Sequence, residues 1–161
     1  MSKAVLISIR PEWCEKIMAG QKTIEVRKTR PKMNPPFKCY IYRSVQGGVI
    51  GEFMCDDIFE RIVQVGTSCE KPKYCLCDWN MDCTPLDGLL SDACLTKDEL
   101  EQYLAGGVGY GWHISNLKIY DHPRDLWEFT GLRQTKFGLA PGPITRPPQS
   151  WRYVEEELWN D

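Results

Sequence analysis

The chain has 161 residues, of which 42% are hydrophobic and 26% are charged, and its formal net charge is -2. This length suits one domain, and no apolar run approaches the roughly 18 residues that a membrane-spanning helix needs. The small net charge argues against a protein that coats itself in nucleic acid through global attraction. We therefore expect a single domain over residues 1–161. Because the N-terminus lacks the long apolar region of a signal peptide, we expect the protein to stay in the cytoplasm.

The charges are segregated along the chain. Residues 1–43 carry ten Lys or Arg against three Glu, whereas residues 44–101 carry twelve Asp or Glu against four Lys or Arg. This segregation permits a basic face built by the first part of the chain, although folding could also interleave the two blocks.

A strand, a helix and a tight turn open the chain. Residues 5–9 are a short apolar run that predicts a strand. Residues 11–19 predict a helix, because Pro11 suits the first helical position and Gly20 suits the left-handed residue after the end.

Three charged side chains follow this turn. Ile24 and Val26 alternate with polar residues, so in a strand they enter the core while Glu25 and Arg27 share the opposite face. Lys22 lies in the turn, from which its flexible side chain can reach that face. We expect a compact mixed-charge cluster, and the alternative is a surface ion-pair cluster worth only about 0–1 kcal/mol per exposed pair.

The middle of the chain predicts two more strands. Residues 30–37 contain three prolines and predict an extended loop, after which residues 38–44 and 49–62 read as strands joined by a turn at residues 46–48. Gly51, inside the second of these strands, predicts a bulge or a close backbone approach.

Residues 64–95 lack a sustained period and predict a Cys-rich loop or insertion. Four of the eight cysteines cluster there, with the spacing C-x5-C-x-C-x5-C: Cys69, Cys75, Cys77 and Cys83. Four thiolates could close a tetrahedral zinc site, but this spacing is not one of the common CxxC pairs. We therefore expect no cofactor and keep zinc as the alternative.

Helix and strand signals return after this segment. Thr96 with Glu99 three residues later is a capping box that starts a helix over residues 97–104. Residues 109–120 predict a strand whose alternation slips near Asn116, which a bulge would explain. Residues 131–150 are rich in glycine and proline, and residues 151–159 predict a final strand or short helix. The sum is a mixed α/β (α+β) fold, a small barrel of five to six mostly antiparallel strands flanked by helices.

Three motifs together resemble the ASCH domain, a PUA-like barrel family. Gly20-x-Lys22-x-x-Glu25-x-Arg27 between a helix and a strand is similar to the GxKxxExR signature of that family. The segments 109–115 and 146–151 look like those of its prophage-type bacterial members. The resemblance covers most of the chain outside residues 64–95.

The resemblance implies a cleft beside the signature turn that binds RNA or a modified nucleoside. In a binding module, Lys22 and Arg27 would contact phosphate or a carbonyl edge, and Glu25 would accept a hydrogen bond from an exocyclic amine. Further ligand contacts would come from the proline-stiffened segment and from aromatic rings, and these candidates are Arg146, Gln149, Ser150, Trp151 and Trp112.

The alternative is a small hydrolase in the same cleft, either a ribonuclease or an amidohydrolase acting on N4-acylated cytidine. Lys22 would then activate a nucleophile or stabilise an oxyanion, with Glu25 as general base. Some relatives pair the lysine with a threonine where this chain has Glu25, which cannot supply a hydroxyl. Asp92, Asp98 and Glu99 are the candidates for their third catalytic carboxylate. The motif does not decide between binding and catalysis.

Overall fold

A computed structural model of the chain describes residues 2–64, 74–77, 83–85 and 87–159. In chain order the elements are β1 (Lys3–Ile9), α1 (Pro11–Met18), β2 (Ile24–Arg27), β3 (Phe37–Arg43), β4 (Val49–Gln64), β5 (Tyr74–Cys77), β6 (Cys83–Pro85), α2 (Asp87–Ala93), α3 (Lys97–Leu104), β7 (Gly109–Arg124), a 3-10 turn (Leu126–Glu128), β8 (Thr130–Thr135), β9 (Gly138–Pro143) and β10 (Trp151–Glu155). The predicted mixed α/β class is confirmed. The predicted number of five to six strands was too low, since the described residues form ten.

All ten strands belong to one sheet. Its main path runs β2-β7-β4-β3-β1-β10-β8-β9, and β5 and β6 branch from β4. Among the described pairs, β1 and β3 run parallel and the others antiparallel. The path ends β2 and β9 do not pair with each other in this part of the chain, so the sheet is open, which is compatible with a PUA-like barrel.

Strand β1 lies inside the sheet and is apolar on both faces. Val5 and Ile7 enter one core cluster, which α1 covers with Cys14 and Ile17, while Leu6 enters a second cluster on the other face. A strand buried on both faces needs a continuous apolar run, which explains its sequence. The core therefore continues through the sheet at this strand.

Glycines make the turns and the close contact that the sequence predicted. Gly47 and Gly48 have φ values of 84° and 86° in the β3–β4 turn. A side chain at Gly51 would overlap the carbonyl oxygen of Lys118, so β4 and β7 approach closely there. The register between β4 and β7 shifts between Glu52 and Met54, and Asn116 on β7 has a φ of 48°. These two observations confirm the predicted bulge in β7.

Two expectations about irregular segments need correction. The described residues within 64–95 include β5, β6 and the helix α2, so this segment is not one continuous loop, and whether it is an insertion stays a prediction. Most of the β8–β9 hairpin lies within residues 131–150, and it was not predicted because glycine and proline are unfavourable in strands. Strand β9 pairs only with β8 in the described sheet, and an edge strand tolerates Pro141 and Pro143 because its outer N–H groups need no partner.

Candidate functional site

The turn between α1 and β2 directs Lys22 into the protein. Gly20 follows the helix with a φ of 76°, and the Lys22 N–H bonds to the carbonyl of Lys16 at 3.1 Å. The Lys22 residue is 3% exposed, and its ammonium donates to the carbonyl of Ala93 at 2.5 Å. The cluster is thus an internal feature and differs from a surface ion pair.

The end of α2 explains why this carbonyl is available. The N–H groups of Cys94 and Leu95 bond to the carbonyls of Ser91 and Leu90, a Schellman arrangement in which Cys94 takes the left-handed conformation with a φ of 54°. This closing pattern leaves the last carbonyls of the helix without partners on α2 itself.

The motif turn supplies the missing donors. The Thr23 N–H bonds to the carbonyl of Asp92 at 2.8 Å, while Lys22 Nζ takes the carbonyl of Ala93. A cation at a helix C-terminus also complements the helix dipole. The turn therefore fixes the position of α2 beside β2.

Glu25 links the two cations of the motif. Its Oε1 accepts from Arg27 Nε at 3.2 Å, and its Oε2 lies 3.7 Å from Lys22 Nζ, which is an ion pair too long for a hydrogen bond. Burial lowers the pKa of Lys22 below its usual value, and the Glu25 carboxylate opposes this shift. Trp13 closes the site, since its ring centroid lies 5.1 Å from Lys22 Nζ.

The second oxygen of Glu25 is buried with unused capacity to accept a hydrogen bond. Glu25 is 7% exposed, and Oε2 has no hydrogen-bond donor among the described residues. A buried acceptor left unmatched costs about 1–3 kcal/mol, so such atoms in native proteins call for an explanation. The Lys22 ammonium is an ion-pair partner of this oxygen at 3.7 Å, beyond hydrogen-bond distance.

Arg27 connects three segments of the chain. Besides Glu25, its guanidinium donates to the carbonyl of Ser8 at 2.6 Å and to Ser150 Oγ at 3.2 Å. These bonds span from β2 to β1 and to the segment that precedes β10. All three guanidinium nitrogens are engaged, so Arg27 holds the two sides of the site together.

Residues 147–150, which we call the strap, form one wall of the site. Ser8 Oγ donates to the carbonyl of Pro148 at 2.6 Å, and the Ser8 N–H donates to the carbonyl of Ser150 at 2.9 Å. The strap is therefore fixed to β1 on both sides of Gln149.

The turn motif and the strap border a groove of about 1010 Å³, which we call the motif groove. Its volume lies at the upper end of the roughly 300–1,000 Å³ of small-molecule sites. The groove is lined by Ser8, Arg10, Trp13, Lys22, Glu25, Val26, Arg27, Lys28, Thr29, Tyr42, Ser44, Val45, Leu95, Glu99, Gln102, Tyr103 and residues 147–150. Four basic side chains against two acidic ones make it net positive.

Comparison with known proteins identifies the family. The sequence model of the ASCH domain matches residues 7–104, more than half of the chain. The chain belongs to the ASCH domain family. No curated protein matches it.

Solved structures agree with this assignment at the level of the fold. The ASCH protein of Zymomonas mobilis is 17% identical, with a TM-score of 0.58 over 95% of this chain and 88% of that one. A tyrosine-to-phenylalanine variant of that protein gives 0.58 at 17% identity, covering 96% and 92% of the two chains. A serine-to-alanine variant gives 0.54 at 18% identity, covering 95% and 89%. At sequence identities this low, the structural similarity supports a conclusion about the fold alone.

The structure brings five of the eight predicted ligand residues of this ASCH domain together. Lys22, Glu25, Arg27, Gln149 and Ser150 all line the motif groove. The other three, treated next, do not line it. Of the three candidate carboxylates, Glu99 lines the groove but is already used in the capping box of α3.

Three predicted ligand residues lie elsewhere. Trp112 is fully buried and packs edge-on against Phe37, so it has no surface to offer a ligand. Trp151 packs against the core, and its Nε1–H donates to Thr29 Oγ1 at 2.9 Å. Arg146 is exposed outside the groove lining. Alternation along a strand cannot tell a packed aromatic ring from an exposed one, which explains the first two.

Several groove residues carry no local signal in the sequence. Arg10 and Lys28 were visible only as part of the general excess of basic residues in the first part of the chain. Gln102 and Tyr103 lie on α3, and only the packing of that helix beside β2 brings them to the groove. The cation–π contact of Lys28 with Tyr103, 5.0 Å from ammonium to ring centroid, joins the two groups.

The zinc hypothesis falls on another part of the chain. Cys69 lies outside the described residues, as do the side chains of Cys75, Cys77 and Cys83. Where the structure describes side chains, no group of three or more His, Cys, Asp or Glu could hold a metal ion. Zinc at the four cysteines stays a prediction that metal analysis of the purified protein tests. No helix in the described ranges is long and apolar enough to span a membrane.

Proposed function

We propose that the motif groove binds RNA through a nucleotide unit and that the protein is a binding module. The observation that carries this proposal is the buried Lys22–Glu25–Arg27 chain in the wall of a net-positive groove. Membership of the ASCH family is consistent with the same ligand class. The buried charges preorganise the wall, so ligand binding needs little further ordering of side chains.

Phosphate recognition falls to the exposed cations of the rim. Lys22 and Arg27 are largely occupied by contacts within the protein, whereas Arg10 and Lys28 are exposed at the groove. Exposed cations suit the phosphate contacts that supply most of the sequence-independent affinity for RNA.

Base recognition has both polar and aromatic candidates in the same groove. Trp13, Tyr42 and Tyr103 line it and supply faces on which an unstacked base can lie. Glu25 and Gln149 supply hydrogen-bonding groups in the same groove. This combination favours a single strand, whose bases are accessible, over a duplex.

Salt dependence of RNA binding tests the proposal. With two phosphate contacts, the affinity for a fluorescein-labelled oligo(U), measured by anisotropy, should fall about sevenfold between roughly 50 and 200 mM salt. Arg10→Gln and Lys28→Gln should each reduce this salt dependence by about half. The exposed Arg133, on β8 outside the groove lining, gives the control variant Arg133→Gln, which should bind as the wild type does.

Two results would contradict a binding module for RNA. If no single-stranded RNA binds, the proposal fails. If a nucleoside binds with no salt dependence while RNA does not bind, the ligand is the uncharged small molecule.

A second candidate function is hydrolysis in the same groove. The observation in its favour is the lowered pKa of Lys22 beside the carboxylate of Glu25, because perturbed titratable groups in a groove are typical of catalytic sites. A neutral Lys22 amine could accept a proton from water, and Glu25 could orient that water.

Product analysis distinguishes the two functions. The protein is incubated with N4-acetylcytidine and, separately, with single-stranded RNA, and the products are separated by chromatography. Release of cytidine or of shorter RNA that is lost in folded Lys22→Met would establish hydrolysis. Binding without any product would leave the binding module as the function.

A further inference from the structure

Gln149 occupies an unusual position in the strap. The residues on either side are tied down through their carbonyls, Pro148 to Ser8 Oγ at 2.6 Å and Ser150 to the Ser8 N–H at 2.9 Å. Arg27 adds a bond to Ser150 Oγ at 3.2 Å. The backbone of Gln149 is thus held from both sides.

The Gln149 residue itself is exposed and lines the motif groove. A carboxamide offers one acceptor and two donors, the set that forms paired hydrogen bonds with a base edge. A fixed backbone with an exposed carboxamide limits the geometries in which such a pair can form. This is the arrangement that converts a polar side chain into a selective one.

We infer that Gln149 determines which base the groove accepts and that Ser8 is the positioning residue that holds the strap for it. This inference rests on the proposed function and adds a division of labour to it. Arg10 and Lys28 set the affinity for any RNA strand, while Gln149 sets the difference between strands of different base composition.

The inference predicts that selectivity and affinity separate in the variants. Oligo(A), oligo(C) and oligo(U) of equal length are measured by anisotropy at one salt concentration. In Gln149→Ala the ratio between the best-bound and worst-bound homopolymer should fall by about tenfold, since one paired base contact is worth roughly 1–3 kcal/mol. The salt dependence should stay as in the wild type.

Matched variants keep the test specific. Gln46 is exposed in the β3–β4 turn outside the groove lining, and Gln46→Ala should leave the homopolymer ratio unchanged. Ser8→Ala should lower the ratio because the strap loses the bond to Pro148. In the double variant of Ser8 and Gln149 the ratio should equal that of Gln149→Ala alone, as expected when one residue acts through the other.

The outcomes separate this inference from the proposed function. If the wild type binds none of the homopolymers, the proposed function fails and the inference fails with it. If the wild type binds them and Gln149→Ala keeps the same ratio, the inference alone is wrong. A changed ratio in Gln102→Ala with none in Gln149→Ala would place base selection on α3 and also overturn it.

Discussion

Two partly buried Lys–Glu clusters in the described part of the chain, each beside a groove, differ in how completely their hydrogen bonds are matched. The first is Lys22–Glu25–Arg27 in the motif groove. The second joins Lys38 to Glu52 at 2.8 Å and to Glu156 at 3.7 Å. It borders a groove of about 630 Å³ between β3, β4, β7 and the C-terminal residues.

In the second cluster both carboxylate oxygens of Glu52 have partners. Oε2 pairs with Lys38, and Oε1 accepts from the Tyr120 hydroxyl at 3.2 Å. The Lys38 side chain remains 21% exposed, against 2% for Lys22. This cluster has the properties of a structural ion pair at the edge of the core.

The first cluster is more buried and less completely bonded. Glu25 Oε2 has no hydrogen-bond donor in the described part of the chain, and burial lowers the pKa of Lys22. Both features are costs that packing alone would not require. The second cluster therefore has the bonding of a structural ion pair, whereas the incomplete bonding of the first supports the proposal that its arrangement serves a ligand.

Removing the lysine from each cluster tests this comparison most strongly. Lys22→Met leaves the buried Glu25 carboxylate paired with Arg27 but without the Lys22 ammonium, so the free energy of unfolding in urea should fall by about 3–5 kcal/mol. Lys38→Met leaves Glu52 with Tyr120 and some access to water, so the loss should be about 1–2 kcal/mol. Only Lys22→Met should weaken RNA binding, measured under conditions where circular dichroism shows a folded protein.

Equal effects of the two substitutions would contradict this difference between the clusters. If Lys38→Met costs as much stability as Lys22→Met and also weakens RNA binding, the two clusters are equivalent, and the groove assignment loses its basis.

Arg27→Lys tests the connection between β2, β1 and the strap. Lysine keeps the charge but cannot bond to Glu25, Ser8 and Ser150 together, because it lacks the planar guanidinium. We expect a loss of about 2 kcal/mol in the free energy of unfolding and weaker RNA binding. The control is Arg133→Lys on β8, where an exposed site predicts no change in either measurement. Unchanged RNA binding in folded Arg27→Lys would show that the strap does not need this connection.

Local patterns predicted most of the fold, and residues without a local pattern account for the errors. The alternation of Ile24 and Val26 placed β2 correctly, and the capping box of Thr96 and Glu99 placed α3 at its observed start. The β8–β9 hairpin was missed because Pro141 and Pro143 are unfavourable in a strand unless it lies at an edge. A short segment of sequence does not show whether its strand lies at the edge or in the middle of the sheet.

The charged cluster of the motif was also predicted from local patterns, while its role in binding a ligand stays a prediction. Strand parity predicted that Glu25 and Arg27 share a face, and the position of Lys22 in the adjacent turn predicted that its side chain could reach them, as the two ion pairs confirm. The burial of Lys22 was not predictable, because it depends on the end of α2 more than sixty residues away. The same applies to Tyr103, which only tertiary packing brings to the groove.

The pH dependence of stability provides a finer test of the burial of Lys22. Its pKa lies below the usual 10.5, so between these two values the folded state holds fewer protons than the unfolded state. Lys22 therefore makes the free energy of unfolding increase with pH between its folded-state pKa and 10.5. Burial raises the pKa of Cys14 and Cys55 to about 12, so these thiols make the free energy of unfolding decrease with pH above 9.0. This effect is the same in the wild type and in Lys22→Met. The difference between wild type and Lys22→Met should thus grow as pH approaches 10.5, and a flat difference would contradict the lowered pKa.

The smallest expected effect concerns the residue at which α2 ends beside Lys22. Cys94 and Ala105 both take left-handed conformations after helices, with φ values of 54° and 48°, where a Cβ costs about 1–2 kcal/mol. Cys94→Gly and Ala105→Gly should therefore each raise the free energy of unfolding by about 1 kcal/mol, measured in urea. Ala105 is the matched control because it ends α3, whereas the carbonyl that Lys22 bonds to lies at the end of α2. Since Lys22 bonds to the carbonyl of Ala93, directly before Cys94, only Cys94→Gly should also alter RNA affinity. Equal stabilisation with unchanged affinity in both variants would mean that the end of α2 supports the fold without tuning the groove.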